Sequence, residues 1–148
     1  MNKSILVDID GTIADESLRR KNATDQKGNI NWNKYFDESL LIKDKVNEKL
    51  KKRLKKFYEE GYTIVFLTGR KENLRDVTIS WLSENDIPVD YLIMREQNSN
   101  YLDIEDFKTK KIHELKLAFD FEIAFEDLEE GIQALKNEKI KYEKIKFN

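Results

Sequence analysis

The chain has 148 residues, of which 38% are charged, yet its formal net charge is only −2, which argues against binding to nucleic acid through bulk charge alone. It has no cysteine, which excludes disulfides, zinc thiolates and a cysteine nucleophile, and its single histidine disfavours a Ser-His-Asp triad. No stretch approaches the roughly 20 apolar residues that span a bilayer, so we expect a cytoplasmic protein without a membrane partner.

Five strand-like segments follow one another along the chain. Residues 4–9 and 62–67 are near-continuous apolar runs, which is typical of strands buried on both faces of a parallel sheet. Residues 90–94 and 121–125 are shorter runs of the same kind. Residues 141–147 alternate charged and apolar side chains, which favours an edge strand.

Four helical segments separate these strands. Residues 43–60 carry one apolar stripe and end before a glycine, and further helices are predicted over residues 71–84, 106–117 and 127–138. The alternation of strands and helices predicts an α/β fold, with a mainly parallel sheet covered by helices on both faces. Ligands of such sheets bind beyond the carboxyl ends of the strands. The length predicts one domain over residues 1–148.

Residues 14–43 interrupt this rhythm between the first strand and the first long helix. Connections of this length without structure are uncommon unless they are functional. The segment also carries three aromatic residues that are usually buried, Trp32, Tyr35 and Phe36. We therefore predict a flap over the strand ends, with a surface insert as the alternative.

Two aspartates, Asp8 and Asp10, stand where the first strand gives way to its loop. Their i, i+2 spacing in an extended chain puts both side chains on one side, where they repel each other unless one is protonated or a cation lies nearby. The pair therefore indicates a Mg²⁺ site, a nucleophile with its acid-base partner, or both. Gly11 permits a tight turn and close approach of a ligand, and Thr12 offers a hydroxyl and an amide to an anion.

Asp-x-Asp-Gly-Thr after an apolar strand resembles the first motif of the haloacid dehalogenase (HAD) superfamily of phosphohydrolases. The resemblance implies that Asp8 attacks phosphorus and forms an aspartyl-phosphate, while Asp10 is the general acid and base. It also implies a Rossmann-like three-layer α/β/α sandwich with a minimal cap, here residues 14–43, after the first strand. A phosphoacceptor or binding module without turnover is disfavoured, because Asp10 would have no role in it.

Two more motifs of the superfamily have counterparts in the expected order. In the segment VFLTGR, the Thr68 hydroxyl and the Gly69 amide would hold phosphoryl oxygens. The next motif is a lysine near the start of a later helix, and Lys108, Lys110 and Lys111 are candidates. Lys108 is favoured because it lies in the first turn and nearest the strand ends.

The last motif is an acidic pair after the fourth strand, Glu126 and Asp127. The superfamily usually has Asp-Asp or Gly-Asp-x-x-x-Asp here, so Glu126 is a departure and Asp127 is the better metal ligand. The resemblance implies a Mg²⁺ cofactor held by Asp8, by the backbone carbonyl of Asp10 and by Asp127, with Glu126 reaching it directly or through water. Such an ion would also offset the crowded carboxylates.

One branch of the superfamily is similar over several segments, namely the phosphatase domain of bacteriophage-type polynucleotide kinase/phosphatase. The similar segments are DIDGTIAD, NWNKYFDE, GYTIVFLTGRKENLRDVTISWL and DYLIMRE. That family removes 3′-phosphates from nucleic acid ends and acts on nucleotide phosphates, which implies such an end or nucleotide as substrate, without an obligate protein partner. A kinase domain is not predicted, because no G-x-x-x-x-G-K-[ST] loop occurs.

The choice of phosphate ester stays open in the sequence. Where that family has Asp-Asp-Arg in its last motif, this chain has Leu128 in place of the arginine. A phosphatase of free nucleotides or small molecules is therefore the alternative. Arg70 and Arg95, near strand ends, are predicted to bind substrate phosphate or strand backbone, or else to form structural ion pairs. The flap aromatics would stack on a base or anchor the flap.

Overall fold

The computed structural model describes residues 1–99 and 103–147. The strands are β1 (Asn2–Val7), β2 (Ala14–Asp15), β3 (Lys45–Val46), β4 (Thr63–Lys71), β5 (Tyr91–Arg95), β6 (Phe119–Glu126) and β7 (Tyr142–Lys144). Five of them form one sheet in the order β5-β4-β1-β6-β7, and every neighbouring pair in it is parallel. The predicted α/β fold with its parallel sheet is therefore confirmed.

Seven helices accompany the strands in the described residues. They are α1 (Ser17–Ala23), α2 (Trp32–Tyr35), α3 (Glu38–Leu41), α4 (Glu48–Glu59), α5 (Arg75–Glu84), α6 (Ile104–Leu115) and α7 (Glu129–Asn137). The helix predicted from residue 43 begins at Glu48, because the Asn47 side chain caps it by accepting from the Leu50 N–H and the preceding residues form β3. α5 begins at Arg75 after one 3₁₀ turn, Glu72–Leu74.

The central strand shows why its apolar run is continuous. Ile5 and Val7 point into a core formed with α4 and α5, whereas Leu6 points into a second core formed with α6 and α7. Successive residues of a strand face opposite sides, so a strand covered on both faces needs apolar residues at every position. β1 lies between β4 and β6, and β7 lies at one edge of the sheet.

Residues 14–43, which are predicted to be a flap and which we call the flap, contain secondary structure of their own. β2 pairs antiparallel with β3, and α1, α2 and α3 follow β2 along the chain. Asn31 and Asp37 cap the two shortest helices through hydrogen bonds to backbone N–H groups. Tyr35 is buried among flap residues, whereas Leu41 is buried in a cluster with Leu74 and Met94 and attaches the flap to the rest of the protein. Within residues 1–99 and 103–147, no helix is long and apolar enough to cross a membrane.

Strand register aligns the carboxyl ends of the central strands. Val7 lies opposite Phe66 of β4 and Phe125 of β6. The next residue, Asp8, donates its N–H to the Phe125 carbonyl at 3.0 Å, which prolongs the parallel ladder by one bond. Residues that follow β1 and β6 therefore meet at the carboxyl ends of these strands, beneath the flap.

Candidate active site

Asp8 is a buried carboxylate at the end of the central strand. The Lys108 ammonium donates to its Oδ1 at 2.9 Å, and the Thr12 hydroxyl lies 3.0 Å from its Oδ2. The same hydroxyl lies 3.3 Å from Oδ1 of Asp127. Both oxygens of Asp8 are thus held in place by partners from the following loop and from α6.

The loop after β1 turns at Gly11, whose φ of +83° favours glycine. A Cβ on Gly11 would lie 2.0 Å from Oδ2 of Asp127, so this close approach also needs the absence of a side chain. The Thr12 N–H donates to the Ile9 carbonyl at 3.1 Å. Thr12 therefore organises the loop and the carboxylates, and its binding of an anion stays a prediction.

A cluster of three carboxylates, which we call the acidic cluster, consists of Asp8, Glu126 and Asp127. One oxygen from each lies within 4.8 Å of the others. Lys108 donates to Oε1 of Glu126 at 2.5 Å as well as to Asp8. Oε2 of Glu126 accepts a hydrogen bond from the Asp127 N–H at 3.0 Å. The two acidic residues predicted from the last motif are therefore directly bonded to each other.

The electrostatics of the acidic cluster favour a bound cation. Burial lowers the pKa of Lys108, but Asp8 and Glu126 outweigh that effect and raise it, so the ammonium stays charged. Burial and the charge of Asp8 raise the pKa of Glu126 well above its usual range and that of Asp127 to about 7. In both carboxyls, burial and the charge of Asp8 outweigh the opposing charge of Lys108.

The donor set of the acidic cluster fits a hard divalent ion. Its carboxylate oxygens are the ligands that Mg²⁺ prefers in proteins. Asp8, Glu126 and Asp127 would hold such an ion together, and Gly11 leaves room for the Asp127 carboxylate. The predicted ligation by the Asp10 backbone carbonyl stays a prediction.

Asp10 has quite different surroundings, because two arginines flank it. Nη2 of Arg70 donates to Asp10 Oδ1 at 2.8 Å and Nε donates to Oδ2 at 3.0 Å. Nη2 of Arg19 donates to Oδ1 at 2.5 Å. Burial raises the pKa of Asp10, but Arg70 and then Arg19 outweigh it and hold that pKa well below its usual range. Asp10 is therefore an ionised proton acceptor in this state.

Arg19 and Asp44 are site residues that the motifs do not reveal. Arg19, from the flap, also binds Asp44 with Nε at 2.9 Å and Nη2 at 2.8 Å, and donates to the Tyr35 carbonyl at 2.7 Å. The sequence offers one weak signal, since α1 buries Arg19 and Ala23 on one face, at i and i+4. Nothing in that spacing indicates Asp44.

The segment after the middle of β4 carries the second motif. Thr68 is buried and its hydroxyl accepts the Arg70 N–H at 3.1 Å, while Gly69 lines the cavity above Asp8. Nη1 of Arg70 donates to the Thr78 hydroxyl at 2.9 Å. Arg70 thus forms a structural ion pair with Asp10, and its predicted contact with substrate phosphate stays a prediction.

The three candidate lysines of α6 separate clearly in the structure. Lys108 is buried in the acidic cluster, Lys110 is exposed, and Lys111 pairs with Glu114 at 3.3 Å. Because α6 begins at Ile104, Lys108 lies in its second turn rather than the first.

A cavity of about 310 Å³ opens above Asp8, Asp10 and Lys108. Arg95 lines it and is buried, with its guanidinium 5.2 Å from the centre of the Phe107 ring. The remaining lining residues come mainly from the flap, from the first residue of α6 and from the chain that enters α7: Arg20, Trp32, Tyr35, Phe36, Gly69, Ile104, Asp127, Leu128 and Glu130. The structure therefore brings both aspartates and the favoured lysine to one cavity.

Comparisons with known proteins agree with this geometry. The family described as the polynucleotide kinase PNKP phosphatase domain matches residues 2–141. Among solved structures, one Pnkp1/Rnl/Hen1 complex matches with a TM-score of 0.74 and 21% identity, covering 100% of this chain and 47% of that chain. A Pnkp1/Rnl/Hen1 RNA repair complex matches with a TM-score of 0.74 and 20% identity, covering 100% and 43%.

The class C acid phosphatase from Bacillus anthracis is a further structural match, with a TM-score of 0.72 and 18% identity, covering 98% of this chain and 66% of that one. The chain thus spans less than half of the chains matched in the two complexes. No curated protein matches it in sequence. The resemblance to HAD phosphatases, and to the polynucleotide kinase branch, is confirmed by the family match.

Proposed function

Since the chain belongs to the family of polynucleotide kinase PNKP phosphatase domains, we propose that this HAD-type phosphatase is a Mg²⁺-dependent phosphomonoesterase that acts on the 3′-phosphate of a nucleic acid end or nucleotide. The observation that carries the proposal is the surroundings of Asp8. This buried carboxylate lies at the end of the central strand, bonded to Lys108 and joined to Glu126 and Asp127 in the acidic cluster.

Asp8 is the nucleophile of the proposed reaction. One of its carboxylate oxygens forms a bond to phosphorus while the bond from phosphorus to the ester oxygen breaks, which leaves an aspartyl-phosphate and an alcohol. Water then attacks phosphorus, the bond to Asp8 breaks, and inorganic phosphate leaves. Lys108 and the Gly69 amide offset the negative charge of the phosphoryl oxygens. Mg²⁺ in the acidic cluster would supply further positive charge to these oxygens.

Asp10 moves the protons in both steps. It accepts the proton of the attacking water, for which its ionised state suits it. To donate a proton to the leaving oxygen, its pKa must rise towards the working pH. That rise follows if the anionic substrate draws Arg19 or Arg70 away from Asp10, because those two cations are what lowers the pKa.

A second candidate keeps the chemistry and takes a free nucleotide or small phosphate ester as substrate. Two observations favour it. The cavity of about 310 Å³ lies at the low end of the range for ligand sites, about 300–1,000 Å³. Leu128, in the position of the family's arginine, gives the cavity wall an apolar side chain instead of a cation for a strand phosphate.

A phosphate-release assay tests the proposal. The substrates are 3′- and 5′-phosphorylated oligonucleotides, mononucleotides and sugar phosphates, each with Mg²⁺ or with EDTA. We expect release from 3′-phosphates that needs Mg²⁺ and is lost in Asp8→Asn, while the control Asp106→Asn, on the exposed side of α6, keeps full activity.

Two outcomes would change the conclusion. Undiminished activity of Asp8→Asn would show that Asp8 is not the nucleophile. Equal turnover of mononucleotide and oligonucleotide 3′-ends, without dependence on salt, would favour the second candidate. Binding of strand phosphates releases counterions, so an enzyme that contacts several of them should lose activity as the salt concentration rises.

A further inference from the structure

The aromatic residues of the flap divide into two kinds. Tyr35 is only 3% exposed, and the Arg19 guanidinium lies 4.6 Å from the centre of its ring. Trp32 is 43% exposed, although its ring stacks on Phe36 with 6.0 Å between centres and 23° between planes. Tyr35 is thus buried within the flap, whereas Trp32 presents a large aromatic surface to solvent.

Trp32 stands at the catalytic cavity rather than on a remote surface. Trp32 and Phe36 line the same cavity of about 310 Å³ as Asp8 and Asp10. Both aromatics also line an adjoining cavity of about 420 Å³. An anchor would lie within the core, but this ring borders two cavities, one of which leads to the nucleophile.

Several other residues that line the catalytic cavity suit an uncharged, flat ligand. Ile104 and Leu128 contribute apolar surface, and Leu128 is 39% exposed. Arg20 is paired with Glu16 at 2.8 Å, and Glu130 adds a negative charge that disfavours a second phosphate. The charged groups around Asp8 therefore share the catalytic cavity with aromatic and aliphatic side chains.

We propose that Trp32 is the platform on which the nucleobase next to the scissile phosphate stacks, so that this site recognises one terminal nucleoside. The inference rests on the proposed function and deepens it by assigning the group that selects the substrate. Every base has an aromatic face, so the platform accepts any base. It discriminates against phosphate esters without one. A cavity at the low end of the size range for ligands matches a single nucleotide.

A cycle of substitutions in both protein and substrate tests the platform. The protein variants are Trp32→Ala, Trp32→Phe and the control Tyr58→Ala, which removes a ring that is 51% exposed on α4. The substrates are a 3′-phosphorylated oligonucleotide and the same oligonucleotide whose last residue is an abasic tetrahydrofuran 3′-phosphate.

We expect Trp32→Ala to raise KM for the complete oligonucleotide by roughly 5- to 150-fold, the range for loss of one base stack, with little change in kcat. Its KM for the abasic oligonucleotide should equal that of the wild type. Trp32→Phe should recover most of the loss, and Tyr58→Ala should match the wild type on both substrates. Equal effects of Trp32→Ala on both substrates, or on neither, would overturn the platform while leaving the phosphatase proposal standing.

A binding measurement keeps the platform testable if no substrate is hydrolysed, a result that would refute the phosphatase proposal alone. The chain has two tryptophans, and the other one, Trp81, is buried. In Asp8→Asn, a nucleoside 3′-monophosphate should quench the fluorescence of Trp32, whereas ribose phosphate should not. Quenching that persists in Asp8→Asn with Trp32→Phe, or no quenching by the nucleotide, would overturn the platform.

Discussion

Asp44 holds the arginine that faces Asp10, and replacing it tests whether the flap depends on this buried ion pair. The two side chains are almost inaccessible, with 2% of Arg19 and 4% of Asp44 exposed. Nε of Arg19 donates to both carboxylate oxygens of Asp44, at 2.9 Å and 3.0 Å, and Nη2 donates to one of them at 2.8 Å. We expect Asp44→Asn to lower the free energy of unfolding by about 3 kcal/mol, the low end for breaking a buried pair, because Asp10 remains as a second acceptor.

The expected loss of stability in Asp44→Asn comes from the buried charge of Arg19 rather than from a strong attraction within the ion pair. Burial raises the pKa of Asp44 in spite of Arg19, so ionising this carboxyl is less favourable inside the protein than in water. In Asp44→Asn, however, the Arg19 guanidinium loses an anionic acceptor in a position that water hardly reaches. A buried charge without enough compensation is what makes such substitutions costly.

Urea unfolding near neutral pH measures this loss, provided that the slope m is unchanged. Asp86→Asn is the matched control, because Asp86 pairs with Lys55 at the surface and its φ of +55° also suits asparagine. We expect the control to leave the free energy of unfolding almost unchanged, because exposed ion pairs contribute little. A loss below about 1 kcal/mol in Asp44→Asn would refute the reasoning, since Asp10 and the Tyr35 carbonyl would then suffice for Arg19.

Three other predictions concern the loop and the acidic cluster. Gly11→Ala should lower the free energy of unfolding in urea by at least about 2 kcal/mol, because the new Cβ would lie 2.0 Å from the Asp127 carboxylate. Gly28 also has a positive φ, +86°, but open space around it, so the control Gly28→Ala should cost only about 1 kcal/mol. Equal losses in the two variants would contradict the packing argument. Mg²⁺ at ten times its Kd should add about 1.4 kcal/mol to the free energy of unfolding, and Asp127→Asn should abolish that gain; a gain that survives in this variant would place the ion elsewhere. In EDTA, the pKa of Asp127 is about 7 in the folded protein and its usual 3.8 in the unfolded chain. The folded state therefore binds more protons between these two pH values, and the free energy of unfolding should fall as pH rises from one to the other. Asp127→Asn should remove this pH dependence in a series of urea-unfolding measurements.

Residues at strand ends were predictable because the cause of their proximity is local. Asp8 follows an apolar run directly, and Glu126 and Asp127 close another. Parallel strands bring such positions to one edge of the sheet whatever the rest of the chain does. Sequence could not show that β4 continues to Lys71, since this extension depends on a register shift against β5 after Leu67.

The ion pairs of the flap were not predictable, for a combinatorial reason. Arg19 binds Asp10 nine positions away and Asp44 twenty-five positions away, across short helices and loops that share no common period. The sequence contains 27 basic and 29 acidic residues, so many pairs are equally plausible before the fold is known. Only the path of the flap selects among them.

The repulsion between Asp8 and Asp10 has two separate answers in the structure. Around Asp10, the charges of Asp10 and Asp44 are balanced by Arg19 and Arg70, so this half of the site needs no metal. Around Asp8, three carboxylates share one ammonium, that of Lys108, among the bonds that the structure describes. The sequence suggested an ion that offsets the pair, but the surplus negative charge lies entirely in the acidic cluster. A divalent cation there would neutralise the neighbours of Asp8, the proposed nucleophile, and leave the state of Asp10 to its arginines, which would separate the control of the proposed attack from that of proton transfer.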